Sequence, residues 1–248
     1  MLFRSIREIP LDFRGDHCTP FLGAYLHDFS TAVQAYLLPL PGTTRLMLRR
    51  KAELFLYGQS ADAIYYIDRG LIKLDRPGAG DQCVTLNLCG AGELLGEEAL
   101  IPHQSFVTQA EALTPLTVYR IPSSQVLESG SRNANLAMFL MEIMVRRTQA
   151  LERRLELIAA HDVERRILLC LADLAGHGER ESDGSFSLPL TQRDVANLIG
   201  ATRETTSLML NQMERNALLA LSRGKITIPS AARLRDAAAF PVPETLAS

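Results

Sequence analysis

A chain of 248 residues, 47% hydrophobic and 22% charged, has an ordinary globular composition and room for one large or two small domains. Its net charge is −2, against which any basic segment stands out. No apolar run reaches membrane-span length, since even Leu136–Val145 contains Glu142, and the N-terminal residues lack a basic-then-apolar leader pattern, so the expected location is the cytoplasm.

Cys18, Cys83, Cys89 and Cys170 are scattered without a C-x-x-C pair, which argues against a disulfide framework, an iron–sulfur cluster or a zinc site. The five histidines (17, 27, 103, 161, 177) show no ligand spacing, so no metal site is expected. Haem ligation through His17 or Cys18 is disfavoured, because a single ligand carries no sequence signature.

Residues 1 to about 20 define no element. Phe21–Leu38 has helical spacing (Leu22, Leu26, Phe29, Val33, Leu37) and ends at the breaker cluster Pro39-Leu40-Pro41-Gly42. Beyond it the period shortens to predicted strands at 44–48, 53–57, 63–68, 71–75, 83–89, 93–95, 106–112 and 116–121, punctuated by glycines. Short strands at regular spacing predict an all-β barrel or roll closing near residue 122.

Ser123–Glu128 predicts a short helix broken at Ser129-Gly130-Ser131, and a long helix follows from about Asn133 to Ala160. Met144, Leu151 and Ile158 recur every seven residues, with Thr148 and Leu155 beside them, Leu140 and Ile143 widening the stripe, and Arg146, Arg147, Glu152, Arg153, Arg154 and Glu156 at its rim. That is a dimerisation pattern; the alternative is one amphipathic helix packed on its own domain. Expected interface residues are Leu140, Met144, Arg147, Thr148, Leu151, Leu155 and Ile158. His161-Asp162 opens another helix, and Gly176–Gly184 is read as a loop.

Thr191 and Asp194 have capping-box spacing, with Leu190 and Val195 as its hydrophobic staple. Gly200 stops that helix and Thr202 caps a second, which begins Arg203-Glu204-Thr205-Thr206-Ser207. Two short helices around a glycine turn form a helix-turn-helix, whose second helix presents its first side chains to base edges. Arg pairs with guanine, Glu accepts from cytosine, and the Thr methyl touches thymine. Strands around Arg223-Gly224-Lys225 predict a wing with a basic tip suited to phosphates. Residues 185–235 hold seven Arg/Lys against three Asp/Glu, so positive charge collects where DNA would bind.

The order of parts resembles the CRP/FNR family of bacterial transcription regulators across nearly the whole chain. The stretches that carry the resemblance are Ala63–Gly70, Gly92–Leu100, Asp162–Ile167 and Gly200–Thr205. It implies an α+β fold: a cyclic-nucleotide-binding-like jelly roll with an N-terminal helix (1–130), a dimerisation helix (131–161) and a winged helix-turn-helix (162–248). It also implies a homodimer reading a near-palindrome in major grooves about 34 Å apart. RNA polymerase would be the protein partner, and activation the commoner mode.

The resemblance places an effector pocket at Gly96, Glu97, Glu98, Ala99, Gln104, Ser105, Leu151 and Glu152. Gly96 and Glu97 match the cyclic-nucleotide branch, but Gln104 stands where that branch has a phosphate-binding Arg, and Leu151-Glu152 where it has Thr-Ser. Glutamine cannot balance a buried phosphate charge, so cAMP is not the expected ligand. Cys18 alone does not make the oxygen-sensing branch's cysteine cluster. An unidentified small molecule, a haem or redox input, or no effector remain. Arg203, Glu204, Thr205 and Ser207 are expected to read bases, with Leu208 departing from the family's Arg. Thr191, Gln192, Arg193, Thr202, Arg223 and Lys225 are expected on phosphates. A regulatory module acting on a partner protein is the alternative; an enzyme on the roll would need a His/Glu metal cluster, and only His103 lies there.

Overall fold

The computed structural model describes residues 30–78 and 83–239. A short helix α1 (Ser30–Tyr36) leads into β1 (Thr44–Leu48), β2 (Glu53–Phe55), β3 (Ala63–Arg69), β4 (Ile72–Pro77), β5 (Cys83–Cys89), β6 (Leu94–Leu95), β7 (Gln109–Ala112) and β8 (Leu116–Pro122). These strands make two four-stranded antiparallel sheets, ordered β1-β8-β3-β6 and β2-β7-β4-β5. Period-two alternation places the two faces of β3 in different cores. Ala63, Tyr65 and Ile67 fill the space between the sheets with Phe55 and Phe106, whereas Ile64 and Tyr66 meet the helices behind them. Phe55 and Phe106 stack with centroids 4.0 Å apart.

Next come α2 (Ser123–Arg132), α3 (Ala134–Ala160) and α4 (Val163–Leu174). The expected break at Ser129-Gly130-Ser131 does not occur. Val126 is fully buried and anchors α2, Ser131 Oγ donates to the Glu128 carbonyl, and the helix runs on despite the glycine's cost of about 1 kcal/mol. The joint is Asn133, which is extended and whose side chain accepts from the backbone N–H groups of Asn135 and Leu136 to start α3. A boundary at residue 130 therefore cuts α2.

The C-terminal part holds β9 (Glu179–Arg180), β10 (Phe186–Leu188), α5 (Gln192–Ile199), α6 (Arg203–Arg215), β11 (Ala220–Ser222), β12 (Lys225–Ile228) and α7 (Ala231–Ala239), with a sheet ordered β11-β12-β10-β9. β9 falls inside the stretch expected to be a loop, and α7 had no signal in the periodicity. Pairing of Phe186 with Arg180 and Ile228 makes β10 an interior strand of that sheet. The strand expected at 106–112 starts only at Gln109, because Phe106 bonds both ways to the Gly58–Gln59 loop instead. The helix expected over 21–38 is described only from Ser30, and His17, Cys18 and His27 lie outside the described residues.

The C-terminal core does not stop at the domain edge. Ile167, Leu171, Val195, Leu198, Ile199, Leu210 and Ile228 pack in one cluster with Leu71, Leu88 and Leu113 of the roll. Among the described residues no helix is long and apolar enough to cross a membrane, and no cluster of metal-binding side chains occurs.

Candidate nucleic-acid interface

The helix-turn-helix is built by two caps. Thr191 Oγ1 accepts from the Asp194 N–H (3.1 Å) and donates to the Asp194 carboxylate (2.6 Å), which also takes the Thr191 N–H (2.8 Å). Gly200 ends α5 at φ 65°, a left-handed conformation that favours glycine, and the Thr202 side chain accepts from Thr205 N–H to start α6. Thr206, Leu210 and Met213 are the buried face of α6, so Arg203, Glu204, Leu208 and Asn211 are left exposed. Glu214 then accepts from the Leu221 N–H (2.7 Å), which pins the wing to α6.

One open groove of about 550 Å³ unites most of the expected residues: Thr191, Gln192 and Arg193 from the start of α5, Arg203 from α6, and Arg223 and Lys225 from the wing. Asn211, Leu221 and Ser222 also line it, and nothing in the sequence periodicity singled them out. Four cations on one concave face, beside a helix N-terminus, form a surface for phosphate oxygens.

Some expected contacts are already committed elsewhere. The Thr191 hydroxyl proton goes to Asp194, and Thr202 Oγ1 is engaged with Thr205, so both act first as caps. Thr205 and Ser207 are half-buried beside the exposed pair Arg203 and Glu204, and Asn211 Nδ2 lies 3.5 Å from Ser207 Oγ. Lys225 Nζ pairs with Glu181 at 2.8 Å, an acidic neighbour supplied by the turn after β9.

Asp194 also joins the two domains. Its Oδ1 accepts from Thr85 Oγ1 of β5 at 3.3 Å and lies 3.7 Å from Lys73 Nζ, which bonds Asp75 at 2.9 Å. Burial pulls the Lys73 ammonium down, but its hydrogen bond to Asp75 and the charges of Asp194, Asp75 and Glu111 hold it above the ordinary lysine value. At the other end of α5, Arg154 donates to Leu198 O (2.6 Å) and Arg166 to Ile199 O (2.7 Å).

The expected effector residues are only partly gathered. Gly96 begins a 3-10 turn, Glu97–Leu100, at φ 75°, and a Cβ there would meet Phe106 at 3.0 Å. Ala99 is buried in the helix-side core and Glu98 is half-buried. Glu97 is not a free carboxylate: it forms an ion pair with Arg147, which also donates to the Leu94 carbonyl. Gln104 and Ser105 are exposed on the loop that bridges to Ser60, and Leu151 and Glu152 are exposed on α3. Nearby, burial raises the Glu93 carboxyl to about 7 although Gly90 N–H, Arg147 and Cys89 favour its charged form.

Two of the residues expected at the α3 interface also have partners within one copy: Leu140 packs against the roll's helix-side core and Arg147 pairs with Glu97, and both are half-buried. The open face of α3 carries Met141, Met144, Thr148, Leu151, Leu155 and Ile158, all exposed, in alternating steps of three and four residues. Met141 extends the stripe by a step that the seven-residue count had not included.

Residues 45–133 match the cyclic nucleotide-binding domain family and residues 165–237 the Crp-like helix-turn-helix domain family, together more than half of the chain. The chain belongs to the CRP/FNR family. Among its relatives, the global nitrogen regulator of Nostoc sp. is 25% identical over 183 residues, covering 72% of this chain and 82% of that protein. The cyclic AMP receptor protein of Thermus thermophilus is 26% identical over 185 residues, covering 75% and 83%. A solved transcriptional regulator of the CRP family, also from Thermus thermophilus, shares the fold, with a TM-score of 0.66 at 20% identity over 79% of this chain and 97% of that one. As a CRP/FNR-family transcription regulator, the protein joins a cyclic-nucleotide-binding-like roll to a DNA-binding helix-turn-helix.

Proposed function

We propose that the protein is a cytoplasmic, homodimeric regulator that reads a near-palindromic DNA site through paired recognition helices, with RNA polymerase as its protein partner. The observation that carries this is the groove bringing Arg193, Arg203, Arg223 and Lys225 onto one face, beside an exposed first turn of α6. Arg203 and Glu204 read base edges, Leu208 offers an apolar contact to a thymine methyl, and Gln192, Arg193, Arg223 and Lys225 bind phosphates. The open stripe from Met141 to Ile158 is the seam for a second copy.

The effector is a small molecule other than cAMP. Relatives of this chain are named for different inputs, a nitrogen regulator and a cyclic AMP receptor among them. In this chain the cation that reaches Glu97, Arg147, is neutralised by it, and neutral Gln104 is exposed. A phosphodiester placed beside Gly96 would lack an unpaired positive partner there.

Selection of sites from a random DNA pool with the purified full-length chain tests the reading, with affinity followed against salt. A near-palindrome and a steep salt slope are expected. Arg203→Ala should cost about 1–3 kcal/mol and relax one base pair in each half-site. Equal loss on selected and random duplexes contradicts base reading by Arg203.

A further inference from the structure

Four carbonyls at the end of a helix have no partner within it, and most are left to water or a glycine cap. In α5 the supply is different. The Ala196 carbonyl takes the Gly200 and Ala201 N–H groups, but Leu198, Ile199 and Gly200 carbonyls are reached by guanidinium groups from other helices. Arg166 comes from α4, inside the same domain. Arg154 comes from α3, the helix that carries the open seam, where it sits between Leu151 and Leu155.

Arg154 makes a second attachment. One guanidinium nitrogen donates to Leu198 O at 2.6 Å, and the other to the Leu86 carbonyl on β5, an edge strand of the roll. A single side chain thus ties the seam helix, the roll and the first helix of the DNA-binding unit. Its charge sits at the negative end of the α5 dipole, where cations are favoured. One turn further along, Ile158 touches the turn between α5 and α6, with its Cδ1 3.5 Å from where a Gly200 Cβ would lie.

We propose that Arg154 is a positioning residue for DNA binding, which sets the orientation of each recognition helix relative to the dimer seam and so fixes the spacing between half-sites. The planar fork is what the task requires: two carbonyls on different elements are held by one rigid group, which an ammonium cannot reproduce. Arg154 touches no DNA itself. It acts through the α5 carbonyls, and α6 follows because only Gly200, Ala201 and Thr202 separate it from Leu198 and Ile199, the residues held by Arg154 and Arg166.

This inference rests on the proposed paired reading of DNA, and half-site spacing separates the two. Binding of the full-length chain is measured on duplexes with the selected half-sites and a spacer changed one base pair at a time, for the native chain, Arg154→Met and Arg154→Lys. The native chain should prefer one spacing, Arg154→Met should lose that preference by about tenfold while keeping the half-site sequence, and Arg154→Lys should recover part of it. Dimer affinity by ultracentrifugation should stay unchanged in both. An Arg154→Met protein that keeps the native spacing preference overturns the proposal. So does one that loses half-site sequence reading in parallel, because that is a folding role. A native chain indifferent to half-site pairing would overturn the dimeric reading together with it.

Discussion

The contact between Lys73 and Asp194 is the place where the two domains share buried charge, and its strength can be worked out in advance. Lys73 Nζ lies 2.9 Å from Asp75 and 3.7 Å from Asp194, and Asp75 Oδ1 is buried with no hydrogen-bond partner among the described residues. At an effective dielectric constant of about 20, the Lys73–Asp194 attraction is about 4 kcal/mol gross, before desolvation is subtracted. Lys73→Met leaves two buried carboxylates without their cation and should cost about 3–5 kcal/mol. Asp194→Asn keeps the shape but weakens the α5 cap and its bond from Thr85, a loss of about 1–2 kcal/mol. In the double variant the remaining carboxylate, Asp75, is the only one left unpaired by Lys73→Met, so the two costs should fall short of adding by about 1–2 kcal/mol. Urea unfolding of the four proteins at pH 7, followed by circular dichroism, measures that coupling. Additivity within about 0.5 kcal/mol would show that the domains are not joined electrostatically through Asp194.

Three further outcomes follow from other parts of the molecule. Leu151→Glu should weaken self-association roughly a hundredfold or more, because Leu151 is 61% exposed in one copy and its burial at the proposed seam would be lost; an unchanged dimer constant by ultracentrifugation removes it from the seam. Glu181→Gln releases Lys225 from its 2.8 Å partner and should tighten binding to all DNA sequences by about two- to fivefold at low salt, as expected of a half-exposed pair; no change in filter-binding affinity would leave the wing lysine without competition. Glu93 is held at about 7 by burial, above its unfolded value, so its neutral form is the one the fold favours. Its contribution is fully present below the ordinary carboxylate range and is lost as pH rises through about 7, by roughly 3 kcal/mol. Glu93→Gln should flatten that fall in urea unfolding between pH 5 and 8, and an unchanged slope would assign it to other groups.

Much of this architecture is legible in the sequence because it rests on local chemistry. Thr191, Asp194 and Gly200 announce a capped, glycine-stopped helix, and the structure shows both halves of the capping box. The strand run works for the same reason, since glycines at turns and period-two alternation are written residue by residue. What escaped is contact across the chain. Lys73 and Asp194 are 121 positions apart, and a charged residue on a short strand looks solvent-facing until the partner domain covers it. Arg147 and Arg154 looked like the rim of a seam, because heptad counting fixes which face a residue occupies but not what packs on the other side. Ser129-Gly130-Ser131 misled in the opposite direction: three weak helix formers are outweighed by the burial of Val126 and a cap placed at Asn133.

Under the proposed reading, control of DNA binding would work on the orientation of α6 rather than on its exposure. Arg203, Glu204 and Leu208 already stand in solvent, and among the described residues no segment covers them. The ends of α5 are a different matter: its first turn is tied to β4 and β5 through Asp194, and its last turn to α3 and β5 through Arg154. Both ties converge on β5, an edge strand whose far end, at Cys89, lies beside Gly90 and the buried Glu93. Glu93 in turn lies next to Arg147, and Arg147 holds Glu97 at the head of the expected effector region. Under the proposed dimeric reading, a shift at either tie would turn the mount of α5, and paired recognition helices would be sensitive to small rotations of that mount.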